Sequence, residues 1–170
     1  MAFVPHVGEK AMQSYLAMNL PFKSYEPLLT KLKSLPEMPP LISRGEAHIT
    51  VITPPEFDRG LKPQVSIQEI NRVAEEAGLQ KMRPKPICIG EGRKEIEGVV
   101  QKTYFVVMES PELVALRDQV QRLYVARGGN RSQFVAQNFY PHVTLGYTLR
   151  DLHFEDGVIK DKTSCIYWFN

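Results

Sequence analysis

Tyr140-Pro141-His142-Val143-Thr144-Leu145-Gly146 is the stretch that decides the fold, together with an earlier one, Ala47-His48-Ile49-Thr50-Val51. Polar and apolar residues alternate in the same order in both. Because successive side chains of a β-strand point to opposite faces, each stretch puts a histidine and a threonine on one face and apolar residues on the other. We therefore predict two β-strands, each with a polar His-x-Thr face and a buried face.

The two His-x-Thr triplets combine residue types that suit acid–base chemistry at a phosphate. A neutral imidazole can take a proton from an attacking nucleophile, and a protonated one can give a proton to the leaving oxygen. Threonine hydroxyls can donate hydrogen bonds to non-bridging phosphate oxygens. We predict His48, Thr50, His142 and Thr144 as catalytic residues, with Gly146 leaving space for a ligand. The alternative is a polar strand face without chemistry. Threonine makes up only 7 of the 170 residues, however, so two His-x-Thr triplets among four histidines would be a rare coincidence.

Prolines, glycines and capping residues divide the rest of the chain into short elements. Three helices are predicted, each after a serine that can cap it: Glu26–Leu35 after Ser24, Ile67–Ala77 after Ser66, and Pro111–Ala126 after Ser110. Glu69 stands three residues after Ser66, which is the capping-box pattern. The chain between Pro55 and Ser66 is predicted to be a long loop. Six strands are predicted, at Ser14–Leu20, Ala47–Ile52, Pro86–Ile89, Val99–Met108, His142–Thr148 and Ser164–Phe169.

The order strand, helix, His-x-Thr strand occurs twice, over residues 15–52 and again over residues 104–147. This repetition predicts two similar lobes, each contributing one His-x-Thr strand to a shared groove. The fold class is α+β with mainly antiparallel sheets. A chain of 170 residues is long enough for one domain, so we predict that residues 1–170 form a single bilobal domain.

Composition and charge exclude several classes of protein and site. A net charge of +2 is too small for a whole-surface attraction to nucleic acid. Cys88 and Cys165 lack CxxC spacing, which predicts two reduced thiols. No His, Cys, Asp and Glu cluster has ligand spacing, so we expect neither a metal nor another cofactor. The first ten residues lack a signal-peptide pattern and no apolar run approaches a membrane span, which predicts a cytoplasmic protein, with the nucleus as the alternative.

Three further residues are candidates for substrate binding around the second triplet. Phe139 and Tyr147 flank it, and aromatic rings stack on bases in single-stranded RNA recognition. The strand alternation places Tyr147 on the apolar side, however, and so favours core packing for it. Arg131 lies in a basic, glycine-containing loop and could contact phosphates beyond the reacting one. An ordinary solvated loop at a helix end explains Arg131 equally well.

Both stretches resemble the paired signatures of the 2H phosphoesterase superfamily, and Pro141–Leu145 is similar to the second motif of its 2′-5′ RNA ligase-like and cyclic phosphodiesterase members. The two histidines are 94 residues apart (142 minus 48). The resemblance implies a bilobal α+β fold with two antiparallel-rich sheets flanked by helices around a central groove. It also implies metal-independent hydrolysis of 2′,3′-cyclic phosphate ends of RNA or nucleotides to 2′-phosphates, a reaction of RNA processing and repair.

The resemblance also implies a role for each residue of the triplets. His48 would protonate the departing ribose O3′, His142 would activate the attacking water, and Thr50 and Thr144 would hold the phosphate. The reverse reaction exchanges the acid and base labels. The expected partner is an RNA or nucleotide substrate, with no membrane or metal, and the expected state is a monomer. Alternatives are a 2′-5′ oligonucleotide phosphodiesterase, an RNA ligase, or an RNA-binding module without catalysis, which would not need two complete triplets.

Overall fold

The computed structural model describes residues 1–170 and shows an α+β fold. The helices are α1 (Glu26–Lys33), α2 (Pro54–Glu56), α3 (Ile67–Glu76) and α4 (Pro111–Ala126). The strands are β1 (Leu16–Leu20), β2 (Ala47–Ile52), β3 (Lys85–Ile96), β4 (Val99–Glu109), β5 (His142–Tyr147) and β6 (Cys165–Trp168). No helix combines the length and the apolar character needed to cross a membrane.

The strands form two sheets. β1 and β2 make a two-stranded sheet, and the larger sheet has the order β5-β4-β3-β6 with every pair antiparallel. β3 and β4 join through Glu97 and Gly98, whose φ angles of 51° and 77° fit a two-residue hairpin turn. The predicted strand ended at Ile89, but β3 continues through the charged segment that begins at Glu91, because the exposed face of an antiparallel sheet accepts charged side chains.

Two of the predicted serine caps are confirmed and one is wrong. Ser66 and Glu69 form the capping box, with Glu69 N donating to Ser66 Oγ at 3.2 Å and Ser66 N donating to Glu69 Oε2 at 2.9 Å. Ser110 Oγ accepts a hydrogen bond from a first-turn amide of α4. Ser24, in contrast, lies in a short 3₁₀ turn, and α1 begins after Tyr25 without a side-chain cap.

The chain after β2 is helical rather than the predicted loop. A second capping box, between Thr53 and Glu56, starts α2, and a π-helical turn over Phe57–Leu61 follows directly. The two consecutive prolines suggested a break, but proline is well suited to the first turn of a helix, where its missing amide is not needed. Thr53 and Glu56 were the signal for this helix.

Replacing Ser66 with alanine is expected to lower the free energy of unfolding by about 1 kcal/mol, because the first turn of α3 loses a hydrogen-bond acceptor. Ser24→Ala is the matched control, since that serine is exposed and does not cap α1. Its effect should stay within about 0.5 kcal/mol. Urea unfolding of both variants measures the difference, and equal effects would contradict the assigned caps.

The chain divides into two compact units, which we call unit 1 and unit 2. Unit 1 comprises residues 1–19, 49–84 and 110–139, and unit 2 comprises residues 20–48, 85–109 and 140–170. In unit 1, α3 packs on α4. In unit 2, α1 packs on β5, the end strand of the larger sheet. The units interleave along the chain and differ from the two sequence repeats, because pairing brings together elements far apart in sequence.

The two cysteines correct another prediction. Cys88 in β3 and Cys165 at the start of β6 form a disulfide, with Cα atoms 5.7 Å apart, whereas the sequence predicted reduced thiols. The two residues are separated by 77 positions, and only the antiparallel pairing of β3 with β6 makes them neighbours. The bond fastens β6, whose other side chains are mostly exposed, to the buried part of the sheet. Such bonds form in oxidising environments.

Candidate active site

β2 and β5 present the two triplets as the alternation predicted. His48 and Thr50 are half-buried on β2, whereas Ile49 and Val51 between and after them are fully buried. On β5, His142 and Thr144 are half-buried and Val143 and Leu145 are buried. Each strand therefore anchors itself by an apolar face and leaves an imidazole and a hydroxyl accessible on the other.

Beyond Thr144 the alternation ends, and the prediction for Gly146 is wrong. The register between β4 and β5 shifts at Tyr104/Phe105, so the strand contains a bulge just after Thr144. A Cβ on Gly146 would lie 3.1 Å from Ile42 O and 3.3 Å from side-chain atoms of Leu29 and Leu41. The missing side chain therefore makes room for α1 and the segment after it, and not for a ligand.

The three other candidate residues lie in different surroundings. Tyr147 is buried in unit 2 and its side chain hydrogen-bonds to Arg44, in keeping with the packing role that its alternation favoured. Phe139 belongs to unit 1, where its ring stacks on the guanidinium of Arg117 at 4.8 Å. Arg131, also in unit 1, is exposed in a short 3₁₀ turn. Of the predicted catalytic residues, His48, His142 and Thr144 belong to unit 2, and Thr50 belongs to unit 1.

The tautomer of His142 follows from its hydrogen bond. Nδ1 lies 2.8 Å from the carbonyl oxygen of Tyr140, which can only accept, so Nδ1 carries the proton. In the neutral ring the lone pair is then on Nε2, the atom that can accept a proton from a nucleophile. The ring is held from one side by Phe105, whose centroid lies 5.9 Å away in an edge-on arrangement. Nε2 lies 3.5 Å from Nζ of Lys160.

The surroundings of His142 favour its neutral form. Burial and the Lys160 ammonium lower the pKa of His142 far below its ordinary value of 6.5, whereas Asp151 and the Tyr140 carbonyl oppose the change only in part. The imidazole is therefore neutral at physiological pH, with an unprotonated Nε2 that faces the Lys160 ammonium. An unprotonated ring nitrogen of this kind can accept a proton.

Asp151 accepts hydrogen bonds from several of the polar groups near His142. Its carboxylate accepts hydrogen bonds from the hydroxyls of Thr103, at 2.5 Å, and Thr144, at 3.1 Å, and from Lys160 Nζ at 3.1 Å. Burial acts to raise the pKa of Asp151, but Lys160 and Thr103 outweigh it and hold the pKa below its ordinary value. In this structure Thr144 donates its proton to the Asp151 carboxylate, so binding a phosphate through the Thr144 hydroxyl would require this hydrogen bond to be exchanged.

The segment from Asp151 to Lys160 is fixed by apolar anchors between its two charged ends. Leu152 and Val158 belong to a buried cluster with Cys88, Phe105 and Val107 of the larger sheet. Gly92 on β3 leaves room for the Val158 side chain, because a Cβ there would lie 2.4 Å from a Val158 methyl group. Asp151 and Lys160 are 9% and 4% exposed, so their positions are set by packing.

His48 lies beside a carboxylate. Glu46, two residues earlier, places a carboxylate oxygen 3.8 Å from His48 Nδ1, and this carboxylate is mostly exposed. A negative charge at that distance favours the protonated imidazole, although solvent weakens the effect. A carboxylate therefore lies beside His48, whereas both the Lys160 ammonium and the Asp151 carboxylate act on His142.

No group of three or more His, Cys, Asp or Glu side chains is arranged to hold a metal ion. In a comparison with protein families, the model of the Swiss Army Knife 2H phosphoesterase domain matches residues 14–153. The matched range includes both triplets and Asp151, and it ends before Lys160. No curated protein matches the chain, and no solved structure matches it.

Proposed function

Since the chain belongs to the 2H phosphoesterase family, we propose that it hydrolyses 2′,3′-cyclic phosphate ends of RNA or nucleotides to 2′-phosphates by histidine general acid–base catalysis. A phosphoesterase function comes with the family. The cyclic substrate, the product and the roles of the residues are our proposal. Residues 1–170 would act as one bilobal domain, with His48, Thr50, His142 and Thr144 directed at one phosphate.

The proposed reaction is a single in-line displacement. Nε2 of neutral His142 takes a proton from a water molecule, whose oxygen forms a new bond to phosphorus. The P–O3′ bond breaks, and protonated His48 gives its proton to the departing O3′. The products are a 2′-phosphate and a free 3′-hydroxyl, and the two histidines exchange protonation states. Each proton transfer by a positioned side chain contributes typically about 10²–10⁴-fold to the rate.

The Lys160 ammonium beside Nε2 of His142 is the observation that carries this assignment, and the Glu46 carboxylate beside His48 supports it. Lys160 stands 3.5 Å from Nε2 of His142 and favours the neutral ring, which a base needs. Glu46 stands 3.8 Å from His48 and favours the charged ring, which an acid needs. A matched pair of titratable groups whose surroundings push them toward opposite protonation states is typical of acid–base catalysis.

The alternative functions use the same groups. A 2′-5′ oligonucleotide phosphodiesterase would direct the displacement at a different ester, and an RNA ligase would run it in reverse. A non-catalytic RNA-binding module would have no need for two histidines of opposite protonation. We further propose that the substrate is an RNA or a nucleotide and that the protein acts as a monomer without a metal. The sequence predicted the cytoplasm or the nucleus, whereas the Cys88–Cys165 disulfide is a bond that forms in oxidising environments.

A substrate panel tests the proposal. We expect turnover of nucleoside 2′,3′-cyclic phosphates and cyclic-ended RNA to 2′-phosphates, and much slower turnover of 2′-5′ dinucleotides and ADP-ribose 1″,2″-cyclic phosphate. EDTA should leave the rate unchanged, because the residues named supply both proton transfers. ³¹P NMR or chromatography distinguishes 2′- from 3′-phosphate products. Turnover of the 2′-5′ dinucleotides alone would replace this function by the first alternative, and a 3′-phosphate product would reverse the choice of leaving oxygen.

A further inference from the structure

Lys160 is a buried cation that the His-x-Thr triplets do not account for. Its Nζ lies 3.1 Å from Asp151 Oδ1 and 3.5 Å from His142 Nε2, and it stands 5.3 Å from the centre of the Phe105 ring. Lysine is rarely buried unless its charge is used or paired. The pairing with Asp151 is only part of the explanation, because an ammonium has three donors, of which one is engaged by Asp151 and another faces Nε2 of His142.

Based on the function proposed above, we infer that Lys160 is a catalytic residue that binds the reacting phosphate beside His142 and stabilises the charge that develops on its non-bridging oxygens. Nζ and Nε2 are 3.5 Å apart, so a phosphate attacked by a water molecule that is hydrogen-bonded to Nε2 lies within reach of the ammonium. Nε2 then takes the proton of the water molecule, while the ammonium donates to a non-bridging oxygen of the phosphate.

The hydrogen bond of Thr144 strengthens this inference. Thr144 donates to Asp151 Oδ2 in this structure and would have to give up that hydrogen bond to bind a phosphate, so a donor that needs no such exchange has to come from another group. Lys160 provides it, in a position fixed by Asp151 and by the buried Val158 two residues earlier. Donors fixed in advance where charge develops are the most effective kind of transition-state stabilisation.

Lys160 also affects the protonation of His142. The charged groups that act on the ring are Lys160, Asp151 and His153, all on the segment after β5. Without Lys160 one cause of the low pKa of His142 is lost, and the pKa rises. Because a base works in its neutral form, the activity would then be lost at a higher pH as the solution is acidified.

The test compares Lys160→Met with Lys160→Arg and with Lys162→Met. Lys162 is an exposed lysine two residues further on, paired at 3.5 Å with Glu109, and its replacement should leave the rate unchanged. Lys160→Met should lower kcat/KM for a nucleoside 2′,3′-cyclic phosphate by about 10²-fold, and Lys160→Arg should recover part of the loss. The acid limb of the pH profile of Lys160→Met should move to higher pH. Inorganic phosphate should shift the His142 ring resonances in the NMR spectrum of the wild type but not of Lys160→Met.

A second variant separates a loss of catalysis from a loss of folding, since Lys160→Met leaves a buried carboxylate unpaired. The double variant Asp151→Asn/Lys160→Met removes both charges and should show a similar loss of kcat/KM in a folded protein. Wild-type kcat/KM and an unchanged pH profile in either variant would overturn the role of Lys160. A loss of stability with normal kinetics would overturn it as well. If His142→Asn were fully active, the proposed function itself would fail, which is a distinct result.

Discussion

Replacing His142 with asparagine is expected to lower the turnover of a 2′,3′-cyclic phosphate by about 10²–10⁴-fold while the protein stays folded. The asparagine amide can occupy the place of Nδ1 and keep the hydrogen bond to the Tyr140 carbonyl, which measures 2.8 Å in the native protein. It has nothing at the position of Nε2. The variant therefore removes the proton acceptor and retains the contact that orients the side chain.

The same substitution at His48 should have an effect of similar size, because the leaving oxygen then departs without a proton. His153→Asn is the matched control, since this histidine is 56% exposed, belongs to neither triplet and acts on the His142 ring only through its charge. Steady-state kinetics measures the turnover of the three variants, and circular dichroism shows whether each of them is folded. The double variant His48→Asn/His142→Asn should lose less than the product of the two single effects, because residues that act as a unit are not additive. Wild-type turnover by either folded single variant would remove that histidine from the mechanism.

The parts of the fold and site that the sequence predicted well depend on short-range patterns. β2 has the predicted bounds, Ala47–Ile52, and β5 begins at His142 as predicted. Alternation within five or six residues is sufficient to define a half-buried strand. The capping box of α3 is equally local, since Ser66 and Glu69 are three residues apart. In these cases the residues that determine the structure are neighbours in the sequence.

The parts that could not be predicted depend on packing between distant segments. Thr103 and Asp151 are 48 positions apart, and Lys160 reaches Asp151 only because Leu152 and Val158 are buried between them. Nothing in the local sequence distinguishes Lys160 from a surface lysine. The bulge after Thr144, which overturned the prediction for Gly146, arises from pairing with β4. The disulfide follows from the pairing of β3 with β6.

Arg117→Met is expected to produce the largest loss of stability, about 3–5 kcal/mol, which corresponds to a fall in Tm on the order of 10 °C. Arg117 on α4 is only 1% exposed, between the rings of Phe134 and Phe139, and its guanidinium forms a bidentate pair with Glu56. It also donates to four backbone carbonyl oxygens, those of Val51, Val135, Ala136 and Asn138. Methionine fills much of the volume but leaves these acceptors without a donor.

The position of Arg117 on the helix explains why its loss is costly. It lies four residues after Leu113 and three before Val120, on the face of α4 that is otherwise apolar and buried. Arg117→Lys should recover little stability, because one ammonium cannot replace a five-donor fork. Arg122→Met is the matched control on the same helix: its side chain is 74% exposed and pairs with Asp118, so the change should stay below about 1 kcal/mol. Thermal and urea unfolding measure all three variants. Equal losses for Arg117→Met and Arg122→Met would show that the buried contacts contribute no more than a surface ion pair.

Because Arg117 donates to the carbonyl oxygen of Val51, directly after Thr50, a destabilised but folded Arg117→Lys should also raise KM if Thr50 contacts the substrate.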